Sequence, residues 1–287
     1  MKKPDISFEL FPPATEAGHK SLYKTVERLK GFNPHYYSVT YGAGGSGQEK
    51  SKELLQELAG EKSLPIAAHI TLAGATRSDI LATVSNWKDL GIKRLVALRG
   101  DAAEPGQAFK AHPEGFADSI ELVAALRELG SFEIAVAAYP EAHPDSRSLQ
   151  ADLDYLKRKQ DAGASSAITQ FFFEADSFCR FEEAARAAGI TIPLIPGILP
   201  INNIVQLHRF ADRCGARIPA WVSKAFEGLE DDPETSAAVA VSLCLDLCRD
   251  LLDQGVDAFH FYTLNRPQLT EAVCRLLALQ AETKEAA

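Results

Sequence analysis

The chain has 287 residues, 46% hydrophobic and 24% charged, with a net charge of −9, enough length for one large globular domain with a sizeable core. An acidic surface repels nucleic acid and anionic lipid, which excludes both as general partners. The opening MKKPDISFELFPP has no signal-peptide core, no apolar run is long enough to span a membrane, and the five cysteines form no CxxC pair, so the sequence predicts a reduced, cytoplasmic protein.

Short β-rich runs recur from end to end. The first, Ile6–Phe11, carries an acid, Glu9, among Phe8, Leu10 and Phe11. The second, Tyr36–Thr40, runs into Tyr41 and a G-x-G-x-x-G loop at Gly42, Gly44 and Gly47. The third, Ile66–Thr71, contains His69, and Thr76 to Asp79 then reads as a capping box. Arg94–Leu98 leads to Arg99-Gly100-Asp101, and Ser119–Leu129 has the apolar spacing of a helix. Ile134–Ala138 leads to Tyr139-Pro-Glu-Ala-His143, followed by a helical segment, Ser148–Ala162. Ala167–Phe172 holds Gln170, and Asp176 stands where a helix cap belongs. After Leu194–Gly197, Asn203 is a second candidate cap; an additional helix, Thr235–Gln254, then precedes the last strand, Ala258–Tyr262, and Asn265-Arg266.

Eight strands at mostly βαβ spacing, with no proline- or serine-rich linker, predict a single (β/α)₈ TIM barrel over residues 1–287. An open doubly wound sheet would use fewer parallel strands. Both strand faces read as largely apolar, as strands buried beneath helices require.

The G-x-G-x-x-G match does not make a Rossmann site. It follows the second strand rather than the first, and the next strand, PIAAHIT, lacks the acid that would hold a ribose. In a barrel, chemistry gathers at the C-terminal strand ends, where Glu9, Thr40, Tyr41, His69, Arg99, Asp101, Tyr139, His143, Gln170 and Arg266 all stand. Each has a structural alternative. Glu9 could pair with a lysine at the rim, Arg99 and Asp101 could neutralise each other, and the histidines could be satisfied core residues. Phe210 could be ordinary helix packing. The histidines and acids lack metal-site spacing, so no metal is expected. No G-x-S-x-G elbow or Cys–His pair supplies a nucleophile. Acids, amides and aromatics without a nucleophile suit an organic cofactor that carries the difficult chemistry.

The runs ISFELFPP, SVTYGAGGS, HITL, VALRGD, VAAYPEAHP, DLDYLKRKQDAGA, AITQFFF, IPGILP, RIPAW and FHFYTLNR, in that order from Ile6 to near Leu279, resemble the methylenetetrahydrofolate reductases, most closely the short bacterial form. The resemblance implies an FAD-containing barrel. It implies hydride transfer from NADH or NADPH through flavin N5 to 5,10-methylenetetrahydrofolate, giving 5-methyltetrahydrofolate for methionine synthesis. It also implies a cytoplasmic homo-oligomer, dimer or tetramer, without the regulatory domain of animal relatives.

By matching motif positions, Glu9 would protonate folate N10 as the five-membered ring opens. Asp101 would contact the pterin and favour the cationic 5-iminium species. Gln170 would hydrogen-bond folate or nicotinamide, Thr40 would place the nicotinamide, Phe210 would stack on either guest, and Gln206 and Arg266 would hold folate. Flavin contacts would come from Tyr41, Ala43, His69, Arg99, Gly100, Asp101, Tyr139, His143, Asp152, Arg158 and Lys159, with Phe116 and Ala117 at the adenine end. Asp152 can accept from ribityl or ribose hydroxyls, while Arg158 and Lys159 can meet phosphates. Asp152, Tyr155 and Lys159 share one helix stripe. Tyr155 stands where some relatives carry a small polar residue, and the 102–117 loop is longer than in some relatives.

Burial among Phe8, Leu10 and Phe11 should raise the pKa of Glu9, and a nearby acid such as Asp101 should raise it further. Two other readings compete. A non-redox barrel lyase or aldolase would favour a Schiff-base lysine at a strand end, and none of the eight strands ends in lysine. A catalytically silent flavin- or folate-binding protein would not need Glu9, Asp101 and Gln170 together.

Overall fold

The computed structural model describes residues 3–41, 48–61, 64–101, 107 and 109–285, with side chains through residue 278. Eight parallel strands close into a barrel in sequence order, β1 pairing with both β2 and β8. The strands are β1 (Asp5–Leu10), β2 (Tyr36–Val39), β3 (Ile66–Thr71), β4 (Arg94–Leu98), β5 (Glu133–Ala138), β6 (Ser166–Phe171), β7 (Leu194–Ile198) and β8 (Ala258–Tyr262). The expected (β/α)₈ architecture is therefore present, each strand within a residue or so of its predicted bounds.

Ten α-helices are described: α1 (Glu16–Leu29), α2 (Gln48–Gly60), α3 (Arg77–Asp89), α4 (Ser119–Leu129), α5 (Leu149–Asp161), α6 (Ala175–Ala187), α7 (Ile204–Cys214), α8 (Ala220–Ala225), α9 (Pro233–Asp253) and α10 (Pro267–Glu285). The capping residues explain several starts. The Thr76 hydroxyl accepts from Asp79 N–H, and the Asn203 side chain accepts from Gln206 N–H. Asp176 is not a cap. The α6 cap position is Glu174, and Asp176 lies in the first turn, where a carboxylate meets the positive end of the helix dipole. The additional helix is α9, preceded by the short α8, which begins within RIPAW at Ala220.

The outward strand residues Ile6, Phe8, Leu10, Tyr37, Val39, Ile70, Val136 and Phe261 pack against Leu22, Leu55, Val84, Leu122, Leu153 and Phe178 of the surrounding helices. A fully buried Leu or Phe side chain contributes roughly 1.5–3 kcal/mol relative to exposure, so this layer is the main source of stability. Inside the barrel, Tyr36, Ala67, Val96, Ala135 and Ile168 form a smaller cluster. A third, under α7, α8 and α9, includes Leu199, Leu207, Val222 and Phe226.

The expectation that both strand faces are apolar fails for β1, β2, β3 and β8. Ser7 and Glu9 alternate with Ile6, Phe8 and Leu10; Ser38 precedes Thr40; His69 lies between Ala68 and Ile70; His260 lies between Phe259 and Phe261. Period-2 alternation thus gives these strands a polar inner face, buried not by apolar packing but by barrel closure.

Candidate active site

Glu9 is 8% exposed on the inner face of β1, and His69 is 4% exposed on the inner face of β3. Glu9 Oε2 and His69 Nε2 are 3.6 Å apart, too far for a hydrogen bond. Burial pushes the Glu9 carboxyl up to about 8 and the His69 imidazole down to about 3. Desolvation disfavours the charged form of each and outweighs their attraction, so at neutral pH the pair is a carboxylic acid beside a neutral imidazole. The expected help from Asp101 is not needed: burial alone raises Glu9, and Asp101 is exposed beyond β4.

Beside them, Ser7 Oγ is 2.7 Å from His260 Nδ1, and burial with the neighbouring His69 holds the His260 imidazole down to about 3. Ser38 Oγ, Thr40 Oγ1, His69 Nε2 and His260 Nε2 are all buried without a hydrogen bond. Each such atom costs about 1–3 kcal/mol, so a lumen that keeps four of them is suited to a polar guest.

A second group forms at the ends of β4 and β5. The Tyr139 and His143 rings meet edge to face at 4.6 Å. His143 N–H donates to Asp152 Oδ2 at 2.6 Å, and Arg99 pairs with Asp145 at 2.9 Å. Burial pushes the Tyr139 hydroxyl up to about 12, opposed by the charge of Arg99 and reinforced by those of Asp152 and Asp101. Gly100 has φ +85°, and a Cβ there would lie 2.7 Å from Ala73 Cβ, so only glycine fits this turn.

Other expected residues are placed less directly. Tyr41 turns its ring outward against Trp87, with its hydroxyl donating to Gln48, which leaves only its main chain at the strand end. Phe116 is buried in the helix layer under Arg77, and Ala117 N–H donates to Glu121. Lys159 is buried; its Nζ donates to the Ala137 carbonyl at 2.7 Å and stands 5.1 Å from the Tyr155 ring. Burial brings the Lys159 ammonium down to about 8, partly opposed by Asp152. Tyr155 accepts from Ser119 N–H, tying α5 to α4, while Arg158 is exposed. Gln206 and Phe210 lie one turn apart on α7, and Phe210 joins the cluster that includes Phe171 and Tyr262. Arg266 is exposed after β8. Ala43 and the glycines at 42, 44 and 47 lie outside the described residues.

Sequence reasoning passed over Ser7, Ser38, His260 and Tyr262. Their signal was available in strand alternation, most clearly in Phe259-His260-Phe261-Tyr262.

The donor and acceptor set fits FAD. Asp152 can accept from ribose or ribityl hydroxyls, the Arg99 and Arg158 cations suit phosphates, and the orphaned Thr40 and His69 atoms can meet ring heteroatoms. Among the described residues, no three His, Cys, Asp or Glu side chains converge as a metal site.

The family model for methylenetetrahydrofolate reductase matches residues 1–278. The chain is 42% identical over 276 residues to the 5,10-methylenetetrahydrofolate reductase of Escherichia coli, covering 96% of this chain and 91% of that protein. It is 40% identical over 278 residues to the protein of that name from Pectobacterium carotovorum, covering 97% and 91%. A rice protein named probable methylenetetrahydrofolate reductase (NADH) is 35% identical over 290 residues, 97% of this chain and 49% of its own length. Among solved structures, a Clostridium thermocellum protein described as binding two copies of 5-methyl-5,6,7,8-tetrahydrofolic acid aligns with TM-score 0.67 and 16% identity, covering 96% of this chain and 94% of that one. At that identity the likeness shows the fold alone.

Proposed function

The chain belongs to the methylenetetrahydrofolate reductase family, and from that premise we propose that it reduces 5,10-methylenetetrahydrofolate to 5-methyltetrahydrofolate with electrons from NADH or NADPH, in two alternating half-reactions at one bound FAD. When bound, FAD supplies the two-electron relay between nicotinamide and folate. Asp152, Arg99, Arg158, Tyr139 and His143 would hold it, with Gly100 giving its backbone a close approach. Tyr41, Phe116 and Ala117 would contribute through main-chain groups.

The single observation that carries this reading is the buried Glu9 carboxyl, raised to about 8. A group with that pKa keeps its proton at neutral pH and can deliver it to folate N10 as the ring opens. Neutral His69, held down to about 3, does not take that proton away. Asp101, an exposed acid at the end of β4, would stabilise the cationic iminium form of the substrate. Gln170 would bond folate and nicotinamide in turn, Thr40 would orient the nicotinamide, and Gln206, Phe210 and Arg266 would grip folate. The same reading carries a cytoplasmic location and a homo-oligomer, dimer or tetramer.

The lyase reading needs a reactive amine. Lys159 is buried with a lowered pKa, yet its Nζ already donates to Ala137 O and faces Tyr155. Colour separates the readings. Purified protein should absorb near about 450 nm, bleach with NADH or NADPH and regain colour with methylenetetrahydrofolate. Colourless protein would favour the lyase, and bleaching without recovery would favour a protein that binds folate without reducing it.

A further inference from the structure

Three sequence blocks, AITQFFF, IPGILP and FHFYTLNR, meet around one irregularity in the barrel. Ile168 pairs with Ile195 and Phe171 with Gly197, three steps along β6 against two along β7. The strand β6 therefore carries one extra residue, a bulge that spans Thr169 and Gln170. Bulges next to active sites re-aim a side chain.

The bulge is held by side chains that replace ladder groups. Gly197 N–H donates to the Thr169 hydroxyl at 3.0 Å, where a regular parallel ladder would offer a main-chain carbonyl. The Thr169 carbonyl accepts from the Tyr262 hydroxyl at 2.7 Å, reached from β8 across β7. That crossing is possible only because residue 197 is glycine. A Cβ there would lie 2.2 Å from Thr169 O and 2.6 Å from Tyr262 Cε2. With these bonds the Gly197 N–H and the Thr169 carbonyl are both satisfied, which favours the extra residue at this place in the strand. Gln170 comes next; its Oε1 accepts from Phe171 N–H at 3.0 Å, which leaves its NH₂ end for a guest.

We infer that Tyr262, Thr169 and Gly197 are positioning residues for Gln170, setting where its amide meets folate and nicotinamide; the inference rests on the role proposed for Gln170 above.

A double-mutant cycle on the flavin-loaded enzyme tests it, reading the Kd of 5-methyltetrahydrofolate by calorimetry. Gln170→Ala and Tyr262→Phe should each weaken binding about three- to tenfold, the value of one hydrogen bond. Because they remove the same interaction, the double variant should bind within about twofold of Gln170→Ala alone. Thr169→Val, which keeps the shape but loses the acceptor, should behave as Tyr262→Phe does, and Thr169→Ser should restore wild-type affinity. A double variant weakened by the product of the two single effects would overturn the inference, as would wild-type affinity in both Tyr262→Phe and Thr169→Val. If Gln170→Ala itself binds normally, the proposed role of Gln170 fails and the positioning role fails with it.

Discussion

Glu9 and His69 face each other at 3.6 Å although their strands, β1 and β3, are not neighbours in the sheet. The contact passes over the inner face of β2, which pairs with both strands, and lies within the lumen that the closed barrel encloses. Closure also removes the water that would ionise either group. Three adjacent strands thus bring the pair together, and burial keeps both members neutral.

That neutrality predicts how stability depends on pH. The unfolded chain releases the Glu9 proton near its ordinary value of 4.5, whereas the folded protein holds it to about 8. Between those values the folded state binds more protons, so this contribution to stability falls as pH rises. Relative to Glu9→Gln, which does not titrate, the wild-type unfolding free energy should drop by on the order of 3–5 kcal/mol across that window, at about 1.4 kcal/mol per pKa unit. Urea unfolding of both proteins from pH 5 to 8.5 measures it. A constant difference would mean that Glu9 is ionised in the fold.

Gly100 supplies a second prediction. Alanine there would combine a left-handed φ of +85° with a 2.7 Å contact to Ala73 Cβ. Gly100→Ala should cost about 1–3 kcal/mol and lower flavin content per chain. Gly74 also has positive φ, +69°, but nothing lies within 4 Å of its Cβ position. Gly74→Ala should therefore be strained yet keep its flavin. Thermal unfolding and flavin content together check both, and equal flavin loss in the two variants would contradict the steric role of Gly100.

Much of this was legible in the sequence because parallel strands beneath helices are read from short apolar runs, and all eight appear near their expected bounds. The strand-end residues followed from chain direction alone. The bulge at Thr169 was not legible, since it depends on Gly197 and Tyr262, which meet β6 only after two further strands have formed. The outward turn of Tyr41 and the inward lysine at 159 were hidden for a related reason: sequence locates a strand end or a helix stripe but not which neighbouring element a side chain packs against. The polar inner face of β8 is different. Its alternation, Phe259-His260-Phe261-Tyr262, stands in the sequence, but an aromatic residue at every second position also matches a buried apolar run.

Asp101→Asn keeps the shape of the side chain and removes its charge. In the proposed reaction only the folate half passes through the cationic iminium that Asp101 would contact, so that half should slow more than flavin reduction by NADH or NADPH. Rapid-mixing traces of the two half-reactions give the comparison. Equal slowing of both would assign Asp101 a structural role alone.

In the proposed reaction Glu9 is the acid that activates folate, and stopped-flow spectroscopy of Glu9→Gln is the sharpest test. Flavin reduction by nicotinamide needs no proton donor, so the variant should retain FAD and bleach with NADH or NADPH at close to the wild-type rate. General acid catalysis is typically worth about 10²–10⁴-fold, and reoxidation of the reduced enzyme by 5,10-methylenetetrahydrofolate should slow by that much. Reoxidation at close to the wild-type rate would show that Glu9 is not the acid.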